Sequence, residues 1–127
     1  MKKNILIVDN EVYIIELIET MIEELPNIRI LTAENVKEAD LILKKEKIDV
    51  IITDIHMPFI RGDVFIKNIR KVPGVNQNVP IIIASAHPDP AMKTTIPFKD
   101  IIYIDKPIDD VFLMETIEKI LKGENNG

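Results

Sequence analysis

At 127 residues, with 46% apolar and 29% charged residues, the chain has the size and composition of one globular domain with its own core. Its net charge of -5 argues against general nucleic-acid binding, which needs a basic face. It has no cysteine, which excludes disulfides, a thiol nucleophile and a thiolate metal site.

Lys2 and Lys3 precede the apolar run Ile5 to Val8, but Asp9 ends it. That is too short for a signal sequence or a membrane span, so the expected location is cytoplasmic. Asn4 to Val8 reads as a first strand, followed by the polar group Asp9-Asn10-Glu11. Over residues 11 to 25 the apolar positions Val12, Ile15, Ile18, Ile22 and Leu25 recur at helical spacing, and Pro26-Asn27 stops the helix. Ile28 to Leu31 is a weaker strand, interrupted by Arg29 and suited to a sheet edge. Asn35 can cap the next helix, with Glu38 reaching back as in a capping box. That helix runs to about Glu46 and buries Val36, Ala39, Ile42 and Leu43.

The stretch from Ile48 to Pro58 organises the rest. Val50 to Ile52 is short, β-branched and not alternating, the pattern of a strand buried on both faces of a parallel sheet. Asp54 stands where that strand ends, at the edge where open α/β sheets bind ligands, although aspartate is also an ordinary turn residue. Gly62 opens a helix with Phe65, Ile66, Ile69 and Val72 inward, stopped at Pro73-Gly74. Ile81 to Ala84 is a fourth strand ending at Ser85. A short helix over 89–96 has Pro90 in its first turn and must end at Pro97. Ile101 to Ile104 is the fifth strand, followed by Asp105-Lys106-Pro107. Asp109 caps a last helix with Val111, Leu113, Met114, Ile117, Ile120 and Leu121 apolar. Residues 1–122 form the domain, and 123–127 a frayed tail or the start of a linker.

Five βα units imply a doubly wound α/β fold, a parallel sheet with helices on both faces and right-handed crossovers. Asp9, Asn10, Asp54, Ser85 and Lys106 then stand at the carboxyl ends of different strands and meet at one rim. Two carboxylates and an amide make an oxygen-rich pocket of the kind Mg²⁺ prefers. An ammonium and a hydroxyl complete a set able to hold phosphoryl oxygens, and a carboxylate can attack phosphorus to form an acyl phosphate.

Taken together, Ile5-Leu6-Ile7-Val8-Asp9-Asn10-Glu11, Asp54-Ile55-His56-Met57-Pro58 with Gly62, Ser85-Ala86 and Lys106-Pro107 resemble a response-regulator receiver domain over essentially the whole chain. The resemblance implies a flavodoxin-like fold, a five-stranded sheet in the order 2-1-3-4-5. It implies Asp54 as phosphoacceptor, supplied by a phosphohistidine on a sensor histidine kinase or phosphotransfer protein. Asp9, Asn10, Asp54 and the backbone carbonyl of His56 would hold Mg²⁺. Ser85 and Lys106 would bind the phosphoryl group, and Tyr103 would turn inward as Ser85 moves. Phosphorylation would then bias a surface made by the 89–96 helix, the fifth strand and the last helix toward an output partner, or toward a homodimer. No turnover of an external substrate is expected.

Two departures and a pair of histidines matter. Family members usually carry two acids after the first strand, and here the second is Asn10. A missing unit charge at ~4 Å and an effective dielectric of ~20 is worth ~4 kcal/mol before water and relaxation recover most of it. Weaker Mg²⁺ binding and slower phosphorylation follow, although Asn10 also suits a helix cap. His56 and His87 each lie two residues past a key group, where imidazoles could set the acyl-phosphate lifetime or simply be exposed in loops. Finally, Phe98-Lys99-Asp100 stands where the family has a Gly-Ala pair. The alternative function is a pseudo-receiver, the same fold acting unphosphorylated as an interaction module. A flavin or nucleotide carrier is disfavoured, because the loops lack a Gly- or Ser/Thr-rich phosphate cradle.

Overall fold

The apolar runs become strands β1 (Lys3–Val8), β2 (Ile28–Ala33), β3 (Val50–Thr53), β4 (Ile81–Ser85) and β5 (Ile101–Asp105) in a computed structural model that describes residues 2–57, 61–85 and 100–123. All neighbours pair in parallel, in the order β2-β1-β3-β4-β5. The described helices are α1 (Val12–Ile22), α2 (Val36–Lys45), α3 (Gly62–Lys71) and α4 (Asp110–Leu121). The helix expected over 89–96 lies outside the described residues.

Every residue of β3 and β4 is buried, in keeping with their largely β-branched sequences. β2 and β5, with one strand neighbour each, are mostly half-buried. Arg29 therefore costs little on its edge, and β2 extends two residues past Leu31 because Thr32 and Ala33 pair with Ile7 and Val8. Strand alternation divides the core into two layers. Leu6, Val8, Ile51, Ile81 and Ile83 face α2 and α3, packing on Val36, Ala39, Phe65, Ile66 and Ile69. Ile5, Ile7, Ile52, Ile82 and Ile104 face α1 and α4, packing on Ile15, Ile18, Ile22, Leu113 and Ile117.

The helical stripes hold in their middles and fail at their ends. Val12 and Val111, at or next to the first helical residue, are 47% and 59% exposed. A helical side chain leans over the turn before its own, and at a helix start that turn is missing. Val72 is 63% exposed, because the chain has already left α3 for an extended conformation there. Leu25 is buried as expected, but past the end of α1, in a turn completed by Asn27 at φ 59°.

Asn35 caps α2 by accepting from the Glu38 N–H at 2.8 Å. The Glu38 carboxylate reaches back one residue further than a capping box requires, to the Glu34 N–H at 3.0 Å. At the other end of α2 the buried Asn76 side chain donates to the Leu43 and Glu46 carbonyls and accepts from the Ile48 N–H. One amide thus ties the α3–β4 loop to the turn between α2 and β3. Among the described residues no helix is long and apolar enough to cross a membrane.

Candidate functional site

The sheet register delivers the site. Val8 pairs with both Ala33 and Thr53, so β1, β2 and β3 end level with one another. The backbone bonding then runs one residue on: the Asp9 N–H donates to the Ala33 carbonyl and the Asp54 N–H to the Val8 carbonyl. On the other side β4 and β5 end level at Ser85 and Asp105, and the Lys106 N–H donates to the Ser85 carbonyl at 3.0 Å. Four residues from four strands are thereby brought to one rim.

Asp9 is 2% and Asp54 7% exposed. One Asp9 oxygen accepts from the Glu11 N–H at 2.9 Å, and one Asp54 oxygen from the His56 N–H at 3.0 Å. Each of these turns aims the second oxygen at Lys106. The Lys106 ammonium lies 2.9 Å from Asp54 Oδ2 and 3.5 Å from Asp9 Oδ2. Burial raises the Asp9 carboxyl above its usual range, against the lowering pull of the Glu11 N–H and Lys106. Burial alone would lower the Lys106 ammonium, but its hydrogen bond to Asp54 and the charges of Asp54 and Asp9 outweigh it and hold it above its ordinary value.

Two buried carboxylates thus share one ammonium, leaving a net negative charge in a low-dielectric rim. Such a set fits a hard cation, since oxygen donors with a residual charge are what Mg²⁺ takes. Among the described residues no three or more His, Asp or Glu side chains gather into a metal cluster. An ion held here would rest on two carboxylates, uncharged oxygens and water. Asn10 is exposed and directly follows Asp9. It does not cap α1, because the N-cap is Glu11, whose side chain makes no capping bond.

Of the other expected residues, Ser85 is buried as the last residue of β4. Tyr103 pairs with Ile83 and packs against the layer that faces α2 and α3. Alternation puts Ser85 on that same sheet face, two residue pairs beyond it. His56 is exposed, and His87 lies outside the described residues.

Two residues act here in ways their sequence neighbourhood does not announce. A Cβ on Gly62 would lie 2.6 Å from Ile55 Cα and 2.7 Å from the Asp54 carbonyl oxygen. Only glycine lets α3 start against the loop that carries Asp54, and the Gly62 N–H holds that loop through the Ile55 carbonyl at 2.9 Å. Thr53, 1% exposed, donates its hydroxyl to the Asp54 carbonyl at 3.0 Å.

Comparison with known proteins agrees with this arrangement. The family described as response regulator receiver domain matches residues 5–118. A probable transcriptional regulator, ycf27 of Guillardia theta, is 32% identical over 125 residues, 98% of this chain and 47% of that protein. The chain therefore spans about half the length of that curated relative. The receiver domain of Francisella response regulator 1452 superposes with a TM-score of 0.82 at 28% identity, covering 96% of this chain and 98% of that one. The chemotaxis response regulator CheY4 of Vibrio cholerae has the same fold, with a TM-score of 0.82 at 23% identity, 94% of this chain and 99% of that one covered. With the strand order, the shared rim and a match over residues 5–118, the chain belongs to the response regulator receiver domain family.

Proposed function

We propose that the chain is the phosphoacceptor module of a two-component pathway and that Asp54 carries the phosphoryl group. The observation behind this is the Lys106 ammonium joining two buried carboxylates from different strands. An Asp54 oxygen attacks the phosphorus of a phosphohistidine on a sensor kinase or phosphotransfer protein. A P–O bond forms, the P–N bond breaks, and the imidazole nitrogen leaves with the electron pair and takes up a proton. Such transfer needs mainly positioning and charge stabilisation. The His56 N–H orients one Asp54 oxygen, and Lys106 and Ser85 receive the phosphoryl oxygens. Asp9, Asp54, Asn10 and the His56 carbonyl would hold Mg²⁺, which supplies positive charge to the transferring group. Tyr103, on the face of the sheet that Ser85 shares, would carry the change toward the output surface.

The test is intact-protein mass after incubation with Mg²⁺ and acetyl phosphate, beside an Asp54→Ala control. The expected result is a single phosphoryl adduct that the control lacks. A folded protein that takes no adduct at any Mg²⁺ concentration would reject this reading and leave the unphosphorylated interaction module.

A further inference from the structure

We infer that the cleft between the last turns of α2 and α3 is a binding site for a small apolar carboxylate, its tail seated on the cleft walls and its head group at Lys44. The site lies apart from the rim and does not depend on the phosphoacceptor reading.

α2 and α3 each lead back to the start of a strand, β3 or β4, so their last turns stand at the edge of the sheet opposite Asp9, Asp54 and Lys106. Between those turns and the α3–β4 loop lies a cleft of about 570 Å³, within the size range of small-molecule sites. Leu43 from α2, Ile69 from α3, and Val72, Pro73 and Val75 from the chain that follows form its apolar walls. Val72 is 63% and Val75 72% exposed, and two such valines on one cleft make a patch rather than scattered surface residues. The polar groups behind the walls are engaged with the fold. Asn76, which also lines the cleft, is committed to Leu43, Glu46 and Ile48. Arg70 Nη1 donates to the Gln77 carbonyl at 2.9 Å, and Gln77 Nε2 donates to the Arg70 carbonyl at 3.0 Å. A ligand therefore meets apolar surface, with Asp40 and Lys44 on the α2 side and Asn68 on the α3 side.

Charge selects the head group. α2 ends on Lys44 and Lys45, and α3 on Arg70 and Lys71. Asp40 on the cleft wall and Asp100, whose charge acts on Arg70, offset only part of this, and Glu46 is paired with Arg29. An excess of positive charge thus sits at this end of a chain whose net charge is -5. Bases in the last turn of a helix are ordinary complements of its dipole. Here two such ends open on one apolar cleft, and an anion with an apolar tail answers both features. Lys44 is the base that lines the cleft itself. Asp40, one turn earlier on the same helix, opposes an anion. Burial raises its carboxyl above the ordinary range, against the lowering pull of Lys44.

Amide spectra of the nitrogen-labelled chain, titrated with octanoate and separately with octylamine, test this. Octanoate should move the amides of Ile69, Val75 and Gln77 and leave those of Asp9 and Asp54 in place, and octylamine should bind more weakly. Lys44→Met should weaken octanoate binding by about threefold, and Asp40→Asn should tighten it by a similar factor, opposite shifts that a purely apolar cleft would not give. Val75→Asp, at an exposed position on the wall, should abolish measurable binding. Octylamine binding as tightly as octanoate, or one affinity shared by the unmutated chain, Lys44→Met and Asp40→Asn, would overturn the proposal. So would octanoate shifts outside the cleft, or none. Cleft amides that move with protein concentration in the absence of octanoate would overturn it in favour of a second copy of this chain as the occupant.

Discussion

Burial raises the proton affinity of Asp9, and the sign of that shift has consequences for stability. A carboxyl whose folded pKa lies above its ordinary value of 3.8 binds its proton more tightly in the folded state than in the unfolded one. Stability from this group is present below 3.8 and is lost as pH rises through the raised value. At neutral pH the ionised Asp9 is therefore a cost to the fold. Asp9→Asn should raise unfolding free energy at pH 7 without Mg²⁺ by about 1 kcal/mol, measured by urea titration, while weakening Mg²⁺ binding. Lys106 behaves with the same sign at the other end of the scale. Its folded pKa is raised above 10.5, so its contribution is full below 10.5 and disappears as pH rises through the folded value. Asn10→Asp should lower the Mg²⁺ dissociation constant and speed acetyl-phosphate labelling, and an unchanged constant would refute the charge argument. His56 is exposed two residues beyond Asp54, with its N–H on the Asp54 carboxylate. Acyl-phosphate decay in His56→Ala should therefore differ from the unmutated chain, and equal rates would leave His56 as a loop residue only.

Elements carry their own predictions. Gly62→Ala would force α3 away from the Asp54 loop, since the clash is with backbone atoms that cannot rotate aside. The expected loss is about 2–3 kcal/mol in urea unfolding, together with slower phosphoryl labelling. Asn35→Ala removes the α2 cap and should cost about 1 kcal/mol with labelling unchanged. The strands, the middles of the helices and the rim could be read from the sequence, because period and β-branching report burial directly. Helix ends could not: Val12, Val72 and Val111 fit the helical spacing yet are exposed where a helix starts or stops. The capping role of Asn35 was legible because its partner Glu38 is local. The role of Asn76 was not, because its partners Leu43, Glu46 and Ile48 come from a distant segment. Asp9, Asp54 and Lys106 were legible as a group only because each closes a strand. Which oxygen each turn would orient, and how Gly62 crowds Ile55, depend on the folded loop.

For the whole molecule, the sheet is a wall between two apolar layers, and truncations on opposite sides of it meet only through the strands. Ile66→Ala in the α2–α3 layer and Ile18→Ala in the α1–α4 layer each remove a fully packed side chain. Each should cost about 2–5 kcal/mol, and their sum should match the double variant to within about 0.5 kcal/mol if the layers are independent. The rim is less divided than the core. Ser85 and Lys106 are spliced by a backbone bond that prolongs the β4–β5 ladder past its last strand pair. A pull on Ser85 is therefore felt at the amide of Lys106. Under the proposed phosphorylation of Asp54, that amide would be a native gauge: its exchange with heavy water should change rate when Ser85 advances on the phosphoryl group, which would allow the event to be timed without any label on the protein.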